Sequence, residues 1–319
     1  MRDALFSPGN DAAPAAISIV MLLRGSEAML EASIASVRAQ SCATWELLAI
    51  DDGSNDAGLV LMEEAAAADP RIRILHSHAA HPAAACNLGA MVARAPLLAF
   101  LQAGDLWATG KLARHLVLHR NQPDLVASYA RMAYLAPDAS ALIGARRCST
   151  LPGGMLSVTD VLGQDPSCMA CNLVVRRQSV LVGGGFDETL AHAQDQDLLA
   201  RLVRDGARIG AIDAVLTGHR QSMALPAHPA RMQESWQQVI ARHIQGEEAR
   251  RLEALHCRDI AQRVLGSGGR VSQALPHAWA GVRLDAGAFF GGWRQGLLTT
   301  LACMAAVAVP AGWRRRLFA

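Results

Sequence analysis

The chain has 319 residues, 51% of them hydrophobic and 18% charged, with a formal net charge of +2. That balance excludes general disorder and a charge-driven nucleic-acid binder, and the length admits one large domain or a domain with an appended subdomain. Seven cysteines, an odd number without framework spacing, indicate ordinary reduced core thiols, with Cys168-Met-Ala-Cys171 as the single CxxC.

Residues 1–15 read as a tail without an apolar core of signal-peptide length, so export is not expected and a cytoplasmic protein is. Short apolar runs then alternate with helical patterns. AISIVMLL (16–23) is a buried strand, SEAMLEASIASVRAQ (26–40) a helix, WELLAID (45–51) a second strand and LVLMEEAAAA (59–68) a second helix. RIRILHS (71–77) is a third strand, PAAACNLGAMVARA (82–95) a third helix and PLLAFL (96–101) a fourth strand, followed by a helix-like GKLARHLVLHR (110–120). From about 125 the pattern changes. LVASYARMAYLAP (125–137) and CMACNLVVRR (168–177) read as strands across a Gly/Pro/Ser-containing connection at 137–167. A glycine turn at 183–188, a helix at 193–206 and a short strand at 207–213 follow, and beyond Pro226 the pattern is helical, with a loop near 266–269.

Strict alternation with near-continuous apolar strands predicts a mostly parallel sheet covered on both faces, whose ligands bind outside the carboxyl ends of the strands. Two acidic loops fall there: Asp51-Asp52-Gly53-Ser54-Asn55-Asp56 after the second strand and Gln102-Ala103-Gly104-Asp105 after the fourth. A carboxylate in the first can accept hydrogen bonds from a nucleobase N–H or a ribose hydroxyl; the alternative is a turn that caps the next helix. Asp105 in the second is a candidate metal ligand or the cap of a helix opening near Thr109. Asp195 and Asp197 lie two apart on a helix, so only one can point into a given site, which is enough for a single general base. His76, His78 and His81, and the pair His115 and His119, are expected on solvated faces, since none has acids of matching spacing nearby.

Taken in order, ISIVMLL, SIASVRAQ, WELLAIDDGSND, NLGAMVARAPLLAFLQAGDLW, GGGFDE and QDQDLLARL resemble the pieces of a family 2 glycosyltransferase of the GT-A fold. The resemblance covers roughly residues 16–225 and leaves 226–319 as a helical C-terminal region. It implies an α/β fold with a Rossmann-like, mostly parallel central sheet. It also implies transfer of a sugar, with inversion, from a UDP- or dTDP-sugar to a saccharide or lipid-linked saccharide in cell-surface polysaccharide or glycolipid assembly. Residue by residue, Asp51 and Asp52 resemble the acids that hold the donor's base and ribose, and Ser54, Asn87, Gln102 and Asp105 complete the donor-binding set. Asp105 resembles the last acid of a D-x-D-D loop that binds Mg2+ or Mn2+ on the diphosphate, with His219 of the His219–Ser222 element as a second ligand. Asp195 resembles the general base.

Three departures stand out. Leu22-Leu23-Arg24-Gly25 replaces a P-T-Y-N type segment, Gln194 replaces the glutamate before the base, and Gln102 and Gly104 stand where acids are usual. They keep a second reading open, a non-catalytic GT-A module that binds a nucleotide sugar or a partner enzyme. A nucleotidyltransferase is disfavoured by the lack of a glycine-rich phosphate loop with Lys or Arg after the first strand. At the C-terminal end, the apolar run 296–313 and Arg314–Arg316 read either as a helix on an anionic cytoplasmic leaflet or as one packed on its own domain. The run is of marginal length for a span and is weakened by Pro310.

Overall fold

A strand that is apolar on both faces has nowhere to show water, and the four N-terminal runs accordingly line up side by side in the computed structural model. β1 (Ile17–Leu23), β2 (Trp45–Asp51), β3 (Ile72–His76) and β4 (Leu97–Gln102) are all parallel, in the order β3-β2-β1-β4. The structure describes residues 14–23, 27–51, 57–77, 81–136, 139, 142, 147–152, 155–163, 169–220, 228–267 and 270–291. Successive side chains of β1 serve opposite faces. Ile17, Ile19 and Met21 pack with Leu30, Ile34 and Val37 of α1 (Glu27–Arg38) and Met62 of α2 (Ala57–Ala68). Val20 packs with Ala83, Ala85 and Ala90 of α3 (Pro82–Val92) on the other face. Helix α3 comes so close that a Cβ on Gly89 would sit 2.5 Å from Val20 Cγ1.

The rest of the sheet is mixed. β8 (Val174–Arg176) runs antiparallel to both β4 and β6 (Leu125–Leu135), and β9 (Arg208–Arg220) runs parallel to β6. The two-residue β5 (Leu106–Trp107) closes the order antiparallel to β9, and β7 (Arg147–Cys148) pairs with β6 off that path. Two sequence expectations change here. The run 168–177 is not one strand: a 3-10 turn at Ala170–Asn172 precedes β8. The expected strand at 207–213 extends to Arg220 because it pairs with β6 over nearly its whole length.

Between β7 and β9 come the short α5 (Val158–Val161), α6 (Arg177–Val182) and α7 (Gln194–Arg204), and C-terminal to the sheet lie α8 (Pro229–His243), α9 (Gly246–Gly266), α10 (Val271–Leu284) and the short α11 (Ala286–Phe290). Trp236, Val239 and Ile240 of α8 share a core with Tyr129, Leu190 and Leu199, so the helical region packs directly on the sheet domain. No described helix is long and apolar enough to cross a membrane. The tail to residue 13, the apolar run 296–313 and the arginines after it lie outside the described residues.

The helix α4 (Lys111–Asn121) corrects a third expectation, because His115 and His119 are buried. Their face of the helix packs on β6, where Ser128 Oγ lies 2.7 Å from His115 Nδ1 and 2.9 Å from His119 Nε2 and bridges them. Burial holds the His115 pKa well below the usual imidazole value, with Lys111 and His119 adding to the effect. Burial, then Arg176, brings His119 down to about 4. Both rings are neutral in the fold, whereas unfolded histidine titrates near pH ~6.5. The stability gained by keeping them neutral is therefore complete above that pH and is lost as pH falls through it toward the folded values. The melting temperature is expected to drop between about pH 7 and about pH 5, and less steeply in His119→Gln, which cannot take up the proton; thermal melts across that range check it.

Candidate active site

The turn between β4 and β5 is held by one polar row on α1 and the residues just after it. Ser33 Oγ accepts from the Gly104 N–H at 2.9 Å and donates to the Asp105 carbonyl at 2.8 Å. Ser36 Oγ accepts from the Trp107 N–H at 3.3 Å. Gln40 donates to the Ala108 carbonyl at 2.8 Å and accepts from the Leu112 N–H at 3.0 Å. The serine and glutamine pattern of SIASVRAQ is thus a clamp on the 104–112 segment. Gly104 has φ 102°, a conformation that L side chains avoid, so an acid there would be strained by the backbone even though space is open.

Asp105 is 1% exposed and does not cap α4, whose N-cap is Gly110 with no side-chain hydrogen bond. The register of β5 on β9, Leu106 against Gly218, sets Asp105 opposite His219 instead. His219 Nδ1 lies 3.0 and 3.1 Å from the two carboxylate oxygens, and the Arg220 N–H donates to Oδ1 at 3.0 Å. A nitrogen facing a carboxylate this closely carries a proton, so His219 Nδ1 is the donor to Asp105. The Cys171 thiol donates to Asp105 and sits 4.0 Å from His219 Nδ1. Burial pushes that thiol's pKa well up, and the charges of Asp105 and Asp195 push it further.

Beneath this group lies Lys111, fully buried. Its Nζ donates to Thr217 Oγ1 at 2.9 Å and to the Asn172 carbonyl at 3.3 Å. Burial lowers its pKa to about 7 against the opposing pull of Cys171 and Asp105. Neither Cys171 nor Lys111 stood out in the sequence as a site residue; the one available signal was the CxxC itself.

Asp195 and Asp197 open α7 (Gln194–Arg204) and face different ways, as their spacing requires. Asp195 is partly exposed, accepts from the Ala170 N–H at 2.8 Å and bears on Cys171 and Cys86. Burial and then Asp195 push the Cys86 thiol up to about 12. Asp197 is 1% exposed and is spent on structure, with Arg201 at 2.9 Å, His243 at 3.1 Å and Arg242 at 3.3 Å. The residue before α7, Ala193, is left-handed at φ 62°, ψ 25°, and is held there in the core beside Leu190 and Leu199.

Asp51 ends β2 with its carboxylate 3.1 Å from His76 Nδ1. Leu23 pairs with Asp51 and Leu22 with Gln102, so Asp51 and the exposed Gln102 flank the end of β1 on one rim. Asn87 is engaged elsewhere. Its amide donates to the Phe186 carbonyl and to Glu188, both at 2.9 Å, and accepts from the Phe186 N–H at 2.8 Å, which ties α3 to the 185–188 turn. Asp52, Ser54 and Ser222 lie outside the described residues.

Mg2+ and Mn2+ prefer sites built largely from oxygen ligands. The 102–105 turn offers one carboxylate, already met by His219 and Arg220, together with an amide and a glycine. The donors grouped with Asp105 are an imidazole nitrogen and a sulfur, so this set fits Mg2+ or Mn2+ poorly.

Solved structures share this architecture. Staphylococcal (S. aureus) TarS in complex with UDP-GlcNAc matches with a TM-score of 0.57 and 12% identity over 91% of this chain and 92% of that one. The mannosyltransferase PcManGT from Pyrobaculum calidifontis, in complex with GDP-Man and Mn2+, matches with a TM-score of 0.53 and 14% identity over 96% and 86%. The fold is that of the GT-A glycosyltransferases, an α/β sheet flanked by helices with a helical C-terminal region. The chain belongs to glycosyl transferase family 2, whose model matches residues 18–178, just over half of its length.

Among curated relatives, the O-antigen biosynthesis protein RfbC of Myxococcus xanthus is 32% identical over 63% of this chain and 15% of its own length. The glucosyltransferase WfgD of Escherichia coli, which acts on GlcNAc-diphosphoundecaprenol with UDP-Glc, is 37% identical over 30% and 38%. The pre-mycofactocin glycosyltransferase of Mycobacterium tuberculosis is 26% identical over 81% and 52%. The chain thus spans about half or less of these relatives.

The two carboxylates of α7 should separate in a stability experiment. Asp197→Asn removes the buried charge shared by Arg201, Arg242 and His243 and is expected to cost about 2–3 kcal/mol, as loss of hydrogen bonds to a charged group does. Asp195→Asn keeps an acceptor for the Ala170 N–H and should cost about 1 kcal/mol or less. Denaturant unfolding of the two variants checks the contrast.

Proposed function

We propose that the chain transfers a sugar from a UDP- or dTDP-sugar to a hydroxyl of a saccharide or lipid-linked saccharide, with inversion at the anomeric carbon. The observation that carries this reading is that Asp105 and Asp195, ninety residues apart in sequence, both stand beside the buried Cys171, Asp195 through the adjacent Ala170 N–H and Asp105 in one group with Cys171 and His219. It puts a partly exposed carboxylate beside the loop that follows a parallel strand, where a nucleotide's diphosphate would lie.

In this reading Asp195 takes the proton of the acceptor hydroxyl. The acceptor oxygen forms its bond to the anomeric carbon as the bond to the β-phosphate oxygen breaks, and that electron pair leaves on the nucleoside diphosphate. Attack opposite the leaving group gives inversion with one base and no covalent intermediate. A positioned base of this kind contributes about 10²–10⁴-fold. Asp51, with Asp52 and Ser54, serves the base and ribose, and the Gln102 amide serves a ribose hydroxyl. Asn87 contributes by clasping the 185–188 turn, since its own bonds are taken. His219, held by Asp105, stands at the same rim. A divalent cation would be held by Asp105 and His219, though the donor set fits Mg2+ or Mn2+ poorly.

The relatives named for O-antigen biosynthesis and for a diphosphoundecaprenol acceptor support cell-surface polysaccharide or glycolipid assembly. The apolar run 296–313 and Arg314–Arg316 support peripheral contact with the cytoplasmic face of an anionic membrane. Deletion of residues 296–319 is expected to reduce sedimentation with anionic vesicles; unchanged partition removes the membrane claim.

Gln102, Gly104 and Gln194 in place of acids favour the binding-module reading. The two readings part on a donor screen with mixed saccharide acceptors. Transfer is expected, with a product of inverted anomeric configuration by NMR. Asp195→Asn should reduce it by at least about 10²-fold while donor binding, read as thermal stabilisation, stays nearly intact. Nucleotide binding without turnover of any donor establishes the module instead.

A further inference from the structure

We infer that Asp105, Cys171 and His219 form a mixed carboxylate, thiolate and imidazole site for a borderline divalent cation of the Zn2+ or Co2+ kind. The inference deepens the proposed function by naming the cofactor class of the same rim.

Three kinds of donor atom, one from each residue, lie within 4.8 Å of one another. The imidazole nitrogen is 3.0 Å from the carboxylate and 4.0 Å from the sulfur. Zinc bonds of about 2.0 Å to nitrogen and oxygen and about 2.3 Å to sulfur place tetrahedral ligands at such separations after small adjustments. Softness decides the ion, because thiolate and imidazole select Zn2+ and its neighbours whereas Mg2+ takes oxygen. Gln102 and Gly104 leave the same turn with one carboxylate, so the preference for a softer cation and the scarcity of acids describe one site.

The three ligands come from separate elements, each held independently. Asp105 is fixed by the Arg220 N–H and by Ser33 on its carbonyl. Cys171 sits in the 3-10 turn beside Asn172, whose side chain donates to the Ala130 carbonyl at 2.6 Å and accepts from Thr217 at 2.8 Å. His219 is set by the pairing of β9 with β5 and β6. Asp105 and Cys171 are buried, and the His219 side chain is 12% exposed, which leaves the solvent side for a fourth ligand such as a water or a phosphate oxygen. The one buried ammonium nearby, Lys111, is directed to Thr217 and the Asn172 carbonyl and so does not occupy the carboxylate. On binding, the S–H bond of Cys171 breaks and its proton goes to water as sulfur bonds the cation. The imidazole proton moves from Nδ1 to Nε2 as Nδ1 takes up its place as ligand.

The test uses the full chain, stripped with chelator and titrated with Co2+ alone. Saturable binding with a near-ultraviolet thiolate-to-cobalt charge-transfer band is expected, displaced by Zn2+ and not by comparable Mg2+ or Mn2+. Cys171→Ser, with its fold checked by circular dichroism, should lose the band, and Cys168→Ser should keep it. Should the serine variant fail to fold, His219→Gln serves in its place and should weaken cobalt binding by about tenfold or more. Absence of binding, a band that survives Cys171→Ser, its loss in Cys168→Ser, or unchanged affinity in His219→Gln overturns the site. Because the readout needs no sugar donor, a missing metal site with active transfer and a metal site without transfer are separate results.

Discussion

A carboxylate shut away from water must be met by donors on every side, and Asp105 imposes that requirement on four parts of the chain at once. Leaving such a group unmet would cost several kcal/mol. The Arg220 N–H, the His219 ring and the Cys171 thiol meet it directly, and the Ser33 clamp on α1 holds its backbone in place. The strand end at β9, the short β5, the 3-10 turn and the first helix therefore cannot shift independently. Whatever binds at this rim meets a rigid wall there.

The parallel half of the fold was legible because its cause is local. Strands buried on both faces are apolar throughout, and the acids that end them stand out against that background. What the sequence hid depends on distant partners. The length of β9 follows from pairing with β6, some eighty residues earlier, and the break at 170–172 follows from the packing of Cys171 and Asn172 against β4, β6 and β9. His115 and His119 were misjudged because polarity was read as exposure, when one serine on β6 gives both rings a partner indoors. Cys171 looks like any small core residue until the fold sets an acid and a histidine beside it. Asp51, Gln102 and Asp105 stand out in the sequence as strand-end positions, whereas choosing Asp195 over Asp197 rests on the family resemblance; the contacts of Ser33, Gln40 and Lys111 depend on partners far along the chain.

Two acids on α7 stand in different surroundings. Asp195 stays partly exposed beside Cys171, while Asp197 knits α7 to α8 through His243 and Arg242. The left-handed Ala193 just before them stores roughly 1–2 kcal/mol of backbone strain. A buried ion network on one side and a core contact on the other hold that strain in place, so the C-terminal helices help set where the candidate base stands.

The glycine in the β4–β5 turn also limits what a substitution can restore. At φ 102° a side chain at 104 would be strained by its own backbone, although the nearest atoms, of Met29, lie at 3.9–4.0 Å. An acid placed there would pull on the turn, and with it on the Ser33 contact to the Gly104 N–H and the Arg220 contact to its carbonyl. Position 102, exposed at the end of β4, carries no such backbone penalty.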